Sequence, residues 1–125
     1  MKELVVRLSH RPGELARVTN VLSPVGVNIK SVAAMVIGDQ AMMRFIPDDV
    51  LNARHALDNA GIEYEEHEVV VVLLENKAGE LTGVAAKLAE GGVNLLATYL
   101  LGVSDDLIEL AVIADDVKKA KKLLE

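Results

Sequence analysis

Apolar side chains alternate with others from the first residues: Leu4, Val6 and Leu8 fall between Glu3, Val5 and Arg7, the period-two pattern of a strand with one buried face. Ser9-His10 ends that strand. Pro12 presets a turn, and from Gly13 the residues Leu15, Val18 and Leu22 recur at i, i+3 and i+7, one stripe of a helix. Glu14 suits the positive end of the helix dipole and Gly26 its C-terminal exit. Residues 28–37 then predict a second strand, Gly38-Asp39 a hairpin turn and residues 40–46 an antiparallel third strand. Asp48 or Asp49 is placed to cap a second helix along Val50, Ala53 and Leu57, which Gly61 ends, and residues 62–68 predict a fourth strand. The order is βαββαβ, an α+β arrangement of ferredoxin-like plan with both helices on one face of an antiparallel sheet.

The pattern then repeats. Arg11-Pro12-Gly13-Glu14-Leu15 and Gly26-Val27-Asn28-Ile29 return as Lys77-Ala78-Gly79-Glu80-Leu81 and Gly92-Val93-Asn94-Leu95, and 79 minus 13 and 94 minus 28 both give 66. A constant period with matching Gly, Leu and Asn positions marks two tandem copies of one supersecondary unit. Leu4, Val6 and Leu8 become Val70, Val72 and Leu74, and the first helix returns as Leu81, Val84 and Leu88. The hairpin returns as residues 94–103 and 107–114, and the second helix as residues 115–125, now shifted by 67. The expected units are residues 1–68 and 69–125, the second lacking its final strand, which leaves a sheet edge for another segment or chain to cover. Val71 and Leu73 break the alternation, and residues 107–113 are nearly all apolar, so the open face of the second unit is expected to be an interface, in a homodimer.

Composition narrows the functional classes. A net charge of -6, with two Tyr, one Phe and no Trp, disfavours nucleic acid, which needs clustered cations and platforms for base stacking. No Cys means no disulfide and no thiolate metal site. The opening residues lack a signal-peptide core and no run reaches the roughly 18 apolar residues of a membrane span, so a soluble, cytoplasmic protein is expected.

The Pro-Gly turn and the Gly-Val-Asn exit resemble the ACT domain, the small regulatory module of amino-acid metabolism, and both copies carry the resemblance. It implies the βαββαβ order, domains set side by side with second strands joining their sheets, and an amino-acid ligand where the loop after the first strand meets a neighbouring domain. On this chain the family's loop glycine falls on Gly13 and Gly79, and the Asn opening the second strand on Asn28 and Asn94. The Asp or Asn that the family places two residues before the proline is His10 in the first copy and Asn76 in the second, while the proline is Pro12 and then Ala78. The resemblance therefore implies ligand binding at Asn76, Ala78, Gly79, Glu80, Leu81 and Asn94, with His10, Pro12, Gly13 and Asn28 as the first copy's counterparts.

The chemistry of these residues points the same way. A helix N-terminus presents unsatisfied N–H groups and partial positive charge to a carboxylate. Glycine lets a ligand approach the backbone, and an Asn amide can serve both ends of a zwitterion. Gly and Asn are fifteen residues apart in both copies (28 minus 13, 94 minus 79), a helix-length spacing expected to bring loop and Asn near one another.

His10, His55 and His67 lack the i, i+4 spacing of a metal pair, and His55 and His67 are expected to be solvated. Glu63, Glu65, Glu66 and Glu68 are read as a wet strand face, the doublets Asp48-Asp49 and Asp115-Asp116 as caps, and Lys118, Lys119, Lys121 and Lys122 as a solvated helix face. No catalytic constellation, metal site or cofactor is read. The leading function is an amino-acid-binding regulator that acts by a ligand-linked change in domain or subunit arrangement, on itself or on an amino-acid biosynthetic enzyme. Two alternatives stand beside it: a dimerisation module with vestigial sites, and an acylphosphatase-like enzyme using Arg11 and Asn28 around a phosphate.

Overall fold

In the computed structural model, which describes all residues Met1–Glu125, the alternating stretch at the start forms β1 (Lys2–Leu8). It is followed by α1 (Glu14–Leu22), a 3₁₀ turn, β2 (Ile29–Ile37), β3 (Gln40–Pro47), α2 (Val50–Asn59) and β4 (Glu65–Glu68). The second round gives β5 (Val70–Glu75), α3 (Glu80–Glu90), β6 (Leu95–Ser104), β7 (Leu107–Ala114) and α4 (Val117–Leu124). The chain divides into two units, Lys2–His67 and Glu68–Glu125, the latter also including Met1.

In the first unit the sheet order is β2-β3-β1-β4, the ferredoxin-like order the repeat predicts. Its core joins Leu4 and Val6 of β1, Val18 and Leu22 of α1, Met43 and Phe45 of β3, and Ala53 and Leu57 of α2. The helical stripe runs through Val18 and Leu22 as expected and departs from expectation only at its first position. Leu15 is 45% exposed, and the buried positions of α1 are Glu14, Val18 and Leu22, spaced i, i+4 and i+8. A spacing of four keeps side chains stacked on one face, and Leu15 lies off that line. The second unit repeats this: Val84 and Leu88 are buried, and Leu81 is 55% exposed. Its core adds Val70 and Val72 of β5, Leu110 and Val112 of β7, and Ala120 of α4.

β1 also departs from simple alternation. Glu3 and Val5, expected on the wet face, are both buried, and the Glu3 carboxylate is held by Arg44 of β3 through two 3.0 Å bonds. His67, expected to be solvated, is half-buried instead, its Nδ1 3.1 Å from Glu3 Oε1. Buried carboxylates persist only when paired, and Arg44 on the neighbouring strand supplies the fork. Of the acids around His67, Glu66 grips Arg54 of α2, so this segment is partly a docking strand rather than a free wet face.

In the second unit β7 lies between β5 and β6, and no fourth strand flanks β5. The apolar run of β7 is buried on both faces only towards its end. Leu110, Val112 and Ala114 join the helical core, and Ala111 and Ile113 are buried on the opposite face. Leu107, Val71 and Leu73 stay exposed. The doublets divide their labour. Asp49 and Asp116 cap α2 and α4 by accepting the backbone N–H three residues on, at 3.0 Å each. The first Asp of each pair does something else.

Candidate functional site

Both loops between first strand and helix are built on a glycine in the left-handed region, Gly13 at φ 89° and Gly79 at φ 91°, each the N-cap of its helix with no side-chain cap bond. A Cβ is disfavoured there, which accounts for glycine in both copies. In the first unit the loop is filled from within. Glu14, 6% exposed, turns back to accept the Ser9 N–H at 3.0 Å, and its other oxygen takes Arg17 Nε at 3.1 Å. Arg11 Nε lies 3.6 Å away. The Arg17 and Ser9 bonds hold the Glu14 carboxyl below its ordinary pKa, against a smaller opposing push from burial. His10 is exposed and lines a cavity of about 290 Å³ with Arg11, Glu14, Leu8, Met35 and Met42. Pro12 and Gly13 border the loop without lining that cavity.

The second loop has the same backbone and different occupants. Arg17 is replaced by Gly83, and Arg11 by Lys77, whose Nζ is 2.7 Å from Glu75. Glu80, half-buried at the position of Glu14, is engaged by no cation and no hydrogen bond. Asn76 donates its backbone N–H to Asp106 at 2.6 Å and keeps its side chain exposed, while Ala78 and Leu81 are exposed.

The two asparagines are not brought to these loops within their own units. Strand register settles the point. The end of β1 pairs Leu8 with Ala41, which pairs onward with Val36 of β2, whereas Ile29 pairs with Pro47 at the far end. Asn28 therefore sits at the opposite end of the sheet from Ser9–Gly13, some 20 Å away at about 3.3 Å per residue. In the second unit Glu75 pairs with Leu107, opposite Ser104, and Leu95 pairs with Ala114, so Asn94 is equally remote from Asn76 and Gly79. The helix between Gly and Asn runs the length of the sheet and separates them. The same register removes the phosphate cradle from Arg11 and Asn28, which lie at opposite ends of the first unit.

The asparagines instead meet the first Asp of each doublet. Asp48 Oδ1 accepts the Asn28 N–H and Asp115 Oδ1 the Asn94 N–H, both at 3.0 Å. Asn94 Nδ2 adds a 3.3 Å bond to Asp115, which leaves its Oδ1 and one amide N–H open.

No protein-family model matches the chain, and no curated protein matches it in sequence. Solved structures do. A protein of Bacteroides thetaiotaomicron superposes with a TM-score of 0.87 at 24% identity, over 98% of this chain and 85% of its own. The ligand-free regulatory subunit of aspartate kinase from Thermus thermophilus gives 0.71 at 17%, over 98% and 87%. Aspartokinase III of E. coli, in complex with lysine and aspartate, gives 0.57 at 17% over 98% of this chain, which corresponds to 29% of that enzyme. At these identities the likeness is one of fold. The chain has the tandem ACT fold.

The two ACT units thus share a backbone and differ in charge at the loop. Three groupings were not anticipated: Arg17 on Glu14 at the first loop, and, at the other end of the sheets, Asp48 and Asp115 on the asparagines and the Glu3–Arg44–His67 cluster. Glu and Arg three apart on a helix is a readable pairing signal, and its loss at Gly83 marks the difference between the ACT units. The Asp–Asn links span 20 and 21 residues and carry no local signal.

Proposed function

We propose that this is a regulatory protein that binds a small amino acid or related metabolite at the loop between β5 and α3. The observation that carries the reading is the unpartnered Glu80 beside Asn76 at the N-terminus of α3. A carboxylate without a cation suits a ligand ammonium, and the open N–H groups of the first helical turn suit a ligand carboxylate. In the first unit Glu14 is already satisfied by Arg17 and the Ser9 N–H, so its loop competes poorly for a zwitterion. The second unit is the receiving one.

Asn94 enters this site from a second copy of the chain. β6 lies at a sheet edge and exposes Leu95, Leu96, Leu100 and Val103. Antiparallel pairing of two β6 strands about a two-fold axis sets the start of one beside the end of the other, and so Asn94 of one copy beside the Asn76–Glu80 loop of its partner. A ligand held by both copies favours the paired arrangement by its differential affinity, which is how binding would reach an enzyme partner. The fold shared with a regulatory subunit of aspartate kinase supports this reading.

Calorimetry with single amino acids tests it. Glu80→Gln is expected to weaken binding roughly tenfold, the scale of one charge-assisted hydrogen bond. Unchanged affinity in Glu80→Gln would remove the loop from the site.

A further inference from the structure

A second cavity, of about 400 Å³, opens in the first unit between β1, α1 and the segment 61–65 that leads into β4. It exists because β4 is four residues long against seven in β1, so the second half of β1 is flanked by a loop in place of a strand. Its floor is apolar, made by Val5 and Ile62, 7% and 8% exposed. Two guanidinium groups line its wall. Arg7 makes no hydrogen bond, its closest carboxylate oxygen being Glu65 Oε1 at 3.8 Å. Arg17 spends Nε and one Nη2 hydrogen on Glu14, which leaves three of its five N–H donors for another acceptor. The cavity continues into a volume beside Tyr64 and Asp58, which gives an apolar body room.

We propose that this cleft is a second small-molecule site, that it takes a single carboxylate carrying an apolar body, and that Arg17 relays its occupancy to the Glu14 loop. Arg7 and Arg17 receive the carboxylate as fork donors, and Val5 and Ile62 cover the body. Glu63 and Glu65 line the same cleft and set like charge against a second carboxylate, so dicarboxylates are rejected. The relay follows from Arg17 being shared: a ligand carboxylate competes with Glu14 for it, and Glu14 holds the Ser9 N–H. Binding in the cleft therefore loosens the first unit's loop at its Glu14–Ser9 contact.

The test is a backbone amide NMR titration of the full chain with benzoate, with phthalate and inorganic phosphate as controls. Benzoate is expected to give saturable shifts at Gly61, Ile62 and Tyr64, with the Ser9 amide moving at the same midpoint. Phthalate and phosphate are expected to bind more weakly. Arg7→Gln, an exposed change that gives up only the 3.8 Å surface ion pair with Glu65, is expected to raise the benzoate dissociation constant roughly tenfold. Shifts that stay linear, or saturable shifts that Arg7→Gln leaves unaltered, would overturn the site, and a Ser9 amide that stays still while Gly61–Tyr64 saturate would overturn the relay. The Asn76–Glu80 amides, followed in a separate amino-acid titration, read the proposed main site independently.

Discussion

At the scale of single residues the two loops show how one side chain changes what a shared backbone can do. Glu14 and Glu80 follow the same left-handed glycine, yet only Glu14 has an arginine one turn on. The consequence is testable by pH. Because the Glu14 pKa is lowered in the folded chain, its contribution to stability is present above the ordinary glutamate value of 4.5 and is lost as pH falls through the lower folded value. Melting temperature followed downward from pH 5 should therefore fall less steeply in Glu14→Gln than in the parent. Equal slopes would mean that the carboxylate is not preferentially held. Asn94→Ala is expected to weaken ligand binding by about 1 kcal/mol, one hydrogen bond's net worth, with little change in the unliganded melting point beyond the loss of its bond to Asp115. At this scale the sequence was legible where partners are close along the chain, as in the capping Asp49 and Asp116. It was opaque where they meet across the sheet, as with Glu3, Arg44 and His67, because adjacency there depends on strand register.

Among the elements, period and turn chemistry carried most of the information. All seven strands and four helices lie within a few residues of their expected places, because alternation, glycine exits and aspartate caps act locally. Of each helical stripe only the first position was misplaced, by one residue, while Val18, Leu22, Val84 and Leu88 are buried as expected. Leu15 and Leu81 look like core by composition, yet the chain turns inward at Glu14, buried, and Glu80, half-buried, where loop geometry outweighs hydrophobicity. Two glycines of α3 should respond with opposite signs. Gly79→Ala forces a Cβ into φ 91° and should cost about 1–2 kcal/mol. Gly83→Ala, in the helix interior with open space around the new methyl, should add about 0.5–1 kcal/mol. Urea unfolding of both variants checks the pair, and the same sign in both would contradict the N-cap geometry of Gly79. The expected proximity of Gly and Asn failed at this scale too. A helix that spans the sheet carries the chain to its other end, so constant spacing in sequence meant constant separation in space.

For the whole molecule, the tandem repeat was fully legible, whereas the pairing of copies that the proposed site calls on was not, since pairing between copies has no signature in one chain's periodicity. β6 exposes a long apolar edge, and β5 has no flanking strand. Such edges pair with another chain unless charge or proline blocks them. Leu96→Lys together with Leu100→Lys should leave the core intact and reduce the mass seen by sedimentation to that of one chain. It should also abolish ligand binding, because Asn94 no longer reaches a partner's loop. The most direct test of the central claim is thermal melting of the purified chain against each of the twenty amino acids at millimolar concentration. A selective stabiliser is expected, worth about 2.7 kcal/mol at a hundred times its dissociation constant, whose effect is lost in both Glu80→Gln and Asn94→Ala. A flat panel, or a stabiliser indifferent to both substitutions, would contradict that claim.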